Sequence, residues 1–147
     1  MKFYPSGFTL FEVIIAITII VILGSATSIP FASRFINRNN IENKTNEVVS
    51  SFRTAQLNSI SGKENSPWGI HIDTTKIVMF KGASYVFPGT AFDQKYDVPS
   101  TVTITPVDMT FSILSGSPSA VQTVTIQNSL GENHIVRVNE VGSVDVD

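Results

Sequence analysis

The sequence contains no cysteine. That excludes disulfides, thiolate-bound metal and a thiol nucleophile. Any folded domain must therefore hold together on its hydrophobic core alone. Histidine is scarce as well, with only His71 and His134. Each lies among alternating apolar and polar residues without a second ligand at metal spacing, so both read as sheet residues. No Gly-x-Ser-x-Gly, P-loop or dinucleotide-binding glycine pattern occurs. Asp73, Asp93, Asp97 and Asp108 lack the compact spacing of a calcium loop, and Asp145 and Asp147 read as a solvated end. The chain therefore reads as non-enzymatic, with no cofactor and no metal.

Positive charge is not in excess either. Ten Lys and Arg stand against twelve Asp and Glu. From Ile70 to the end, four basic residues (Lys76, Lys81, Lys95 and Arg137) face eight acidic ones. Phosphate recognition needs clustered Lys and Arg, so nucleic acid is not an expected partner.

Charge is nearly missing from one long stretch. Between Phe8 and Phe31 the single charged residue is Glu12. As a helix these residues would extend about 36 Å, enough for a bilayer core of about 30 Å. Val13 to Leu23 is almost entirely Ile and Val, poor helix formers in water. In lipid the backbone must satisfy its own hydrogen bonds, which enforces the helix. Gly24 and Pro30 can bend it without ending it.

Three readings of this segment compete. It has the parts of a secretory signal peptide: Lys2, an apolar core and small residues at Gly24-Ser25-Ala26. It could equally be a signal anchor with Lys2 held inside. Neither reading uses Glu12, and charges near a bilayer interior are usually paired or functional. The third reading does use it. Were the chain cut between Gly7 and Phe8, a new amine would sit one helical turn before Glu12. The Glu12 carboxylate of one helix could then meet the amine of a neighbour. Bundled helices would gain an axial register, because an unpaired buried charge costs several kcal/mol, as an order of magnitude. A carboxylate in the first turn also suits the helix dipole.

Beyond Phe31 the residues turn polar, and then a helical period returns. Ile41, Thr45, Val48, Phe52, Ala55 and Ser59 fall on one face, with Arg38, Lys44, Glu47 and Arg53 elsewhere. One long helix is expected, apolar all round in its first half and striped in its second, ending near Gly62. From Trp68 the period becomes two. Strands are expected at 68–72, 77–81, 84–87, 101–105, 110–114, 121–127, 134–138 and 143–146, separated by turn residues. Short connections predict antiparallel pairing. Residues 89–99 show no clear pattern, although Phe92 and Tyr96 could fold that stretch back on the core.

The run Gly7-Phe8-Thr9-Leu10-Phe11-Glu12-Val13-Ile14-Ile15-Ala16-Ile17 resembles the prepilin signature of type IV pilins and type II secretion pseudopilins. Pro30 lies where many pilin helices carry a proline. Further motifs, Phe52-Arg53-Thr54-Ala55-Gln56, Trp68-Gly69-Ile70, Phe111 to Gly116 and Val141 to Val144, are similar to those of H-type and FimT-type minor pseudopilins. The resemblance implies an α+β, pilin-like fold in which a long N-terminal helix packs on an antiparallel β-sheet head. It implies a leader at 1–7, a transmembrane and filament-core helix at 8–33, an amphipathic continuation at 34–62 and a β-rich head at 63–147. It implies cleavage between Gly7 and Phe8 by prepilin peptidase, methylation of the Phe8 amine and a role for Glu12 in assembly. The expected partners are that peptidase, other pilin or pseudopilin subunits, and membrane lipid before assembly. The precursor would sit in the cytoplasmic membrane with its N-terminus inside and its head outside, then join a filament as a minor subunit acting at initiation or at the tip. The alternative is a membrane-anchored extracytoplasmic β-domain that binds a ligand or DNA outside any filament.

Overall fold

A computed structural model of the chain describes residues 7–147, the side chains of residues 26–33 excepted. The leader up to Ser6, with Lys2, and the side chain of Pro30 lie outside that description. A single helix, α1, runs from Leu10 to Ile60. The chain divides into two compact units, Met1–Ile36 and Asn37–Asp147, each described by itself.

In the first unit the large apolar side chains of the helix up to Leu23 are bare. Twelve large hydrophobic side chains between Phe8 and Leu23 are exposed. Two of its hydroxyls bond back to the helix: Thr18 Oγ1 donates to the Ile14 carbonyl at 2.8 Å and Ser25 Oγ to the Ile22 carbonyl at 2.9 Å. Polar groups satisfied by their own helix cost little in an apolar environment. Among the described residues, no helix is long and apolar enough to cross a membrane. The described side chains of the apolar stretch stop at Ser25, about 24 Å of helix from Leu10. The expected crossing over 8–33 therefore also needs residues 26–33, which lie outside them.

In the second unit the helical stripe forms as the sequence pattern requires. Ile41, Thr45, Val48, Phe52, Ala55 and Ser59 are all buried. This face shares one core with the inner sides of two four-stranded sheets. Beyond Ile60, Gly62 adopts a left-handed φ of 65°, and a short 3-10 turn at Lys63–Asn65 leads into the sheets. The strands are β1 (Trp68–Ile72), β2 (Lys76–Lys81), β3 (Gln94–Asp97), β4 (Val102–Ile104), β5 (Val107–Phe111), β6 (Gln122–Asn128), β7 (Asn133–Val138) and β8 (Val144–Val146). One sheet has the order β3-β2-β1-β5 and the other β4-β6-β7-β8. Every pairing is antiparallel. The class is α+β, as expected, with two sheets in place of one.

Polar contacts fasten the helix to the loops around it. Gln56 Nε2 donates to the carbonyls of Gly116 and Val141, each at 3.2 Å. The Ser59 carbonyl accepts from Leu114 N at 2.9 Å, and Ser59 Oγ accepts from Trp68 N at 2.9 Å. Ser59 is fully buried, so these bonds spare it the cost of an unmet polar group.

Two expected strands require correction. Residues 84–87 form no strand. Tyr85 turns down onto His71 while Val86 and Phe87 face solvent, and this breaks any pleat. The expected strand at 110–114 forms instead as β5, three residues earlier. Val107, Met109 and Phe111 point into the core, whereas Leu114 has φ 65° and is exposed. Conversely, β3 lies inside the stretch that showed no pattern. It is an edge strand, and only Tyr96 packs against the core.

Candidate functional site at the helix start

Gly7, Phe8 and Thr9 precede α1 without regular structure. Helix N-termini leave amide donors unmet, and here Thr9 meets one of them. Its Oγ1 accepts the Glu12 N–H at 3.3 Å, and its carbonyl accepts the Val13 N–H at 3.2 Å. Thr9-Leu10-Phe11-Glu12 thus has the spacing of a capping box, with threonine at the N-cap and glutamate three residues on. Reading the residues for charge alone overlooked Thr9; the Thr-x-x-Glu spacing just before an apolar run was the signal that would have found it.

The cap gives Glu12 a local role beside any intermolecular one. Its backbone closes the first turn, and its side chain, exposed like those around it, sits at the positive end of the helix dipole. Such a carboxylate contributes about 0.3–1 kcal/mol to the helix. Phe8 is exposed, one turn away and outside the helix. The arrangement is an irregular stretch at residues 7–9 followed by a capped helix whose large apolar side chains are bare from Leu10 to Leu23. It offers an accessible peptide bond after Gly7 and a surface suited to an apolar environment.

The other residues weighed from the sequence lie in the second unit. His134 is half-buried on β7. His71 is on β1 opposite Asp108 of β5, and its Nδ1 lies 2.5 Å from Asp108 Oδ1. Among the described residues no group of three or more His, Asp and Glu could hold a metal ion. Three of the four basic residues counted against nucleic-acid binding are already engaged. Arg137 pairs with Asp147, Lys81 Nζ lies 3.6 Å from Glu64, and Lys95 Nζ donates to the Pro88 carbonyl at 3.0 Å. Asp73 is held ionised below the ordinary aspartate range, chiefly by the Thr75 N–H and further by the Thr75 hydroxyl and the Lys76 N–H.

Comparison with known families singles out the helix start. Residues 4–28 match the family model described as the prokaryotic N-terminal methylation motif. The match supports a relation to type IV pilins and pseudopilins, and with it the prepilin character of the N-terminus. It is confined to that stretch and says nothing of the head. Neither the curated proteins nor the solved structures give a match.

Proposed function

We propose that this chain is a prepilin-type precursor that becomes a minor structural subunit of a type IV pilus or a type II secretion pseudopilus. The observation that carries the reading is the methylation motif over residues 4–28, seated at the start of a capped helix whose large apolar side chains from Leu10 to Leu23 are bare. Such a surface in water is unfavourable by roughly 25 cal/mol per Å² of apolar area, so it calls for lipid or for other helices.

The proposed sequence of events follows from that chemistry. The helix first rests in the cytoplasmic membrane across residues 8–33, with the N-terminus inside and the head outside. Prepilin peptidase cleaves between Gly7 and Phe8, and the Phe8 amine is methylated. Glu12 of an incoming subunit then pairs with the Phe8 amine of its neighbour and sets the axial register. Residues 34–62 carry the head on the amphipathic half of the helix, and residues 63–147 form the part displayed on the filament. Action at initiation or at the tip is the assigned place, in the manner of the H-type minor pseudopilins that the sequence resembles. The role is structural, without catalysis.

Replacing Gly7 with a bulky residue tests the first step. Gly7→Leu should leave the precursor uncut, seen as an unshifted band on a gel. Normal processing of that variant would remove the basis of the assignment.

A further inference from the structure

The head carries a second feature that filament assembly does not use. The side of the first sheet facing away from the core holds an open groove of about 970 Å³. Its floor is built by strand alternation. While Ile70, Ile72, Ile77, Met79, Val107 and Met109 enter the core, their neighbours His71, Lys76, Asp108 and Thr110 face the groove. Gly69 is needed for this floor, since a Cβ there would stand 2.6 Å from the Phe80 ring and 2.5 Å from the Met109 carbonyl. Only glycine lets Phe80 lie across β1.

The polypeptide after β2 turns back over the same face. Tyr85 stacks on His71 with ring centroids 4.2 Å apart and planes within 13°, and Phe80 lies 5.7 Å from Tyr85. His71 is thus fixed from two sides, by the Tyr85 ring and by Asp108, and its side chain is only 22% exposed. With Nδ1 donating to the carboxylate, a neutral ring keeps Nε2 as an acceptor. Phe87, at the wall, is 84% exposed.

Three properties narrow what such a groove would take. First, its volume is at the upper end of small-ligand sites, about 300–1,000 Å³, which suits a chain of several small rings. Second, its charges balance: Asp73 and Asp108 oppose Lys76 and Lys95. A polyanion or polycation would gain no net attraction there. Third, its polar groups are arranged for hydroxyls. Asp73 Oδ1 is occupied by Thr75 and Lys76, and Asp108 Oδ1 by His71. Among the described residues, the second oxygen of each carboxylate takes no hydrogen bond, and such oxygens are strong acceptors for O–H donors. Thr75, Ser84, Thr110 and Ser119 add hydroxyls of their own, and the Phe87 ring offers an apolar face beside them.

We propose that this groove binds a neutral polyhydroxylated ligand, an oligosaccharide, through the Asp108–His71 pair and the exposed ring of Phe87. The site belongs to the head alone and does not depend on filament assembly. A Glu12 variant should bind equally well, so failure of one reading leaves the other standing.

The test uses the full chain in a detergent without sugar headgroups. Maltohexaose, cellohexaose and chitopentaose are titrated by calorimetry and by amide chemical-shift mapping, with heparin and polylysine as charged competitors. Saturable binding of at least one neutral oligosaccharide is expected, with shifts centred on His71, Tyr85 and Phe87. Asp108→Asn should weaken it about tenfold or more, the loss of one charge-assisted hydrogen bond. Phe87→Ala should weaken it too. Both side chains are exposed, so both variants should fold, as their amide spectra would verify. The proposal fails if none of the three sugars binds at millimolar concentration, if Asp108→Asn binds unchanged, or if a charged polymer binds in preference.

Discussion

Replacing Glu12 with alanine separates its local role at the helix start from the proposed pairing with a neighbouring subunit. The local role is small. The hydrogen bond that closes the first turn runs from the Glu12 backbone N–H to Thr9 Oγ1, and alanine retains it. What the helix loses is the carboxylate near its positive end, about 0.3–1 kcal/mol. Alanine's higher helix propensity offsets part of that. The proposed intermolecular role predicts a larger effect. Removing one member of a buried ion pair costs about 3–5 kcal/mol, because the remaining charge is stranded. At about 1.4 kcal/mol per factor of ten, assembly should weaken by a hundredfold or more. Glu12→Ala should therefore be cleaved at the wild-type rate and accumulate in the membrane, yet be absent from sheared or sedimented filament fractions. Thr9→Ala is the informative contrast. It loses the cap, about 1 kcal/mol, but keeps the charge, so it should still assemble. If Glu12→Ala enters filaments as well as the wild type, the pairing argument is wrong. If Thr9→Ala is as defective as Glu12→Ala, the carboxylate matters only as part of the helix cap.

Two further predictions concern the head. Phe52 is fully buried between the helix and both sheets, so Phe52→Ala should cost about 3–5 kcal/mol and lower the Tm by more than about 10 °C; Leu57→Ala, at an exposed position of the same helix, should shift stability by less than about 0.5 kcal/mol. Asp73 has a depressed folded pKa, so its contribution is fully present above the unfolded value near 3.9 and is lost as pH falls through the folded value. The gap in urea midpoint between the wild type and Asp73→Ala should be open at pH 6, small because the site is solvent-screened, and should close toward pH 2; a gap that widens in acid would contradict the assigned cause.

Legibility in the sequence followed how many neighbours each residue answers to. The helix stripe from Ile41 to Ser59 was readable because one face meets one core, and the 3.6-residue period records it directly. Strands β1, β6 and β7 were readable for the same reason at period two, and β2 as a short unbroken apolar run after turn residues. Strand β3 was hidden because an edge strand buries little, and Gln94-Lys95-Tyr96-Asp97 leaves only one apolar mark. Residues 84–87 misled because their aromatic and β-branched character serves the outer face of the sheet, where Tyr85 covers His71. The position of β5 was missed because apolar residues on both sides of Phe111 offered two frames, and Leu114 belongs to a turn. At the N-terminus, Glu12 stood out by charge, whereas Thr9 needed the spacing of a helix cap to be noticed. The groove around His71 was not legible at all. It depends on the register that sets His71 opposite Asp108, and local pattern carries no information about pairing between strands 37 residues apart.

The most direct measurement is the intact mass and N-terminal sequence of the protein isolated from the cells that make it. The account predicts a polypeptide that starts at Phe8, with a methyl group on its amine. A mature chain that still starts at Met1, or one that starts inside the apolar stretch near Ala26, would contradict it.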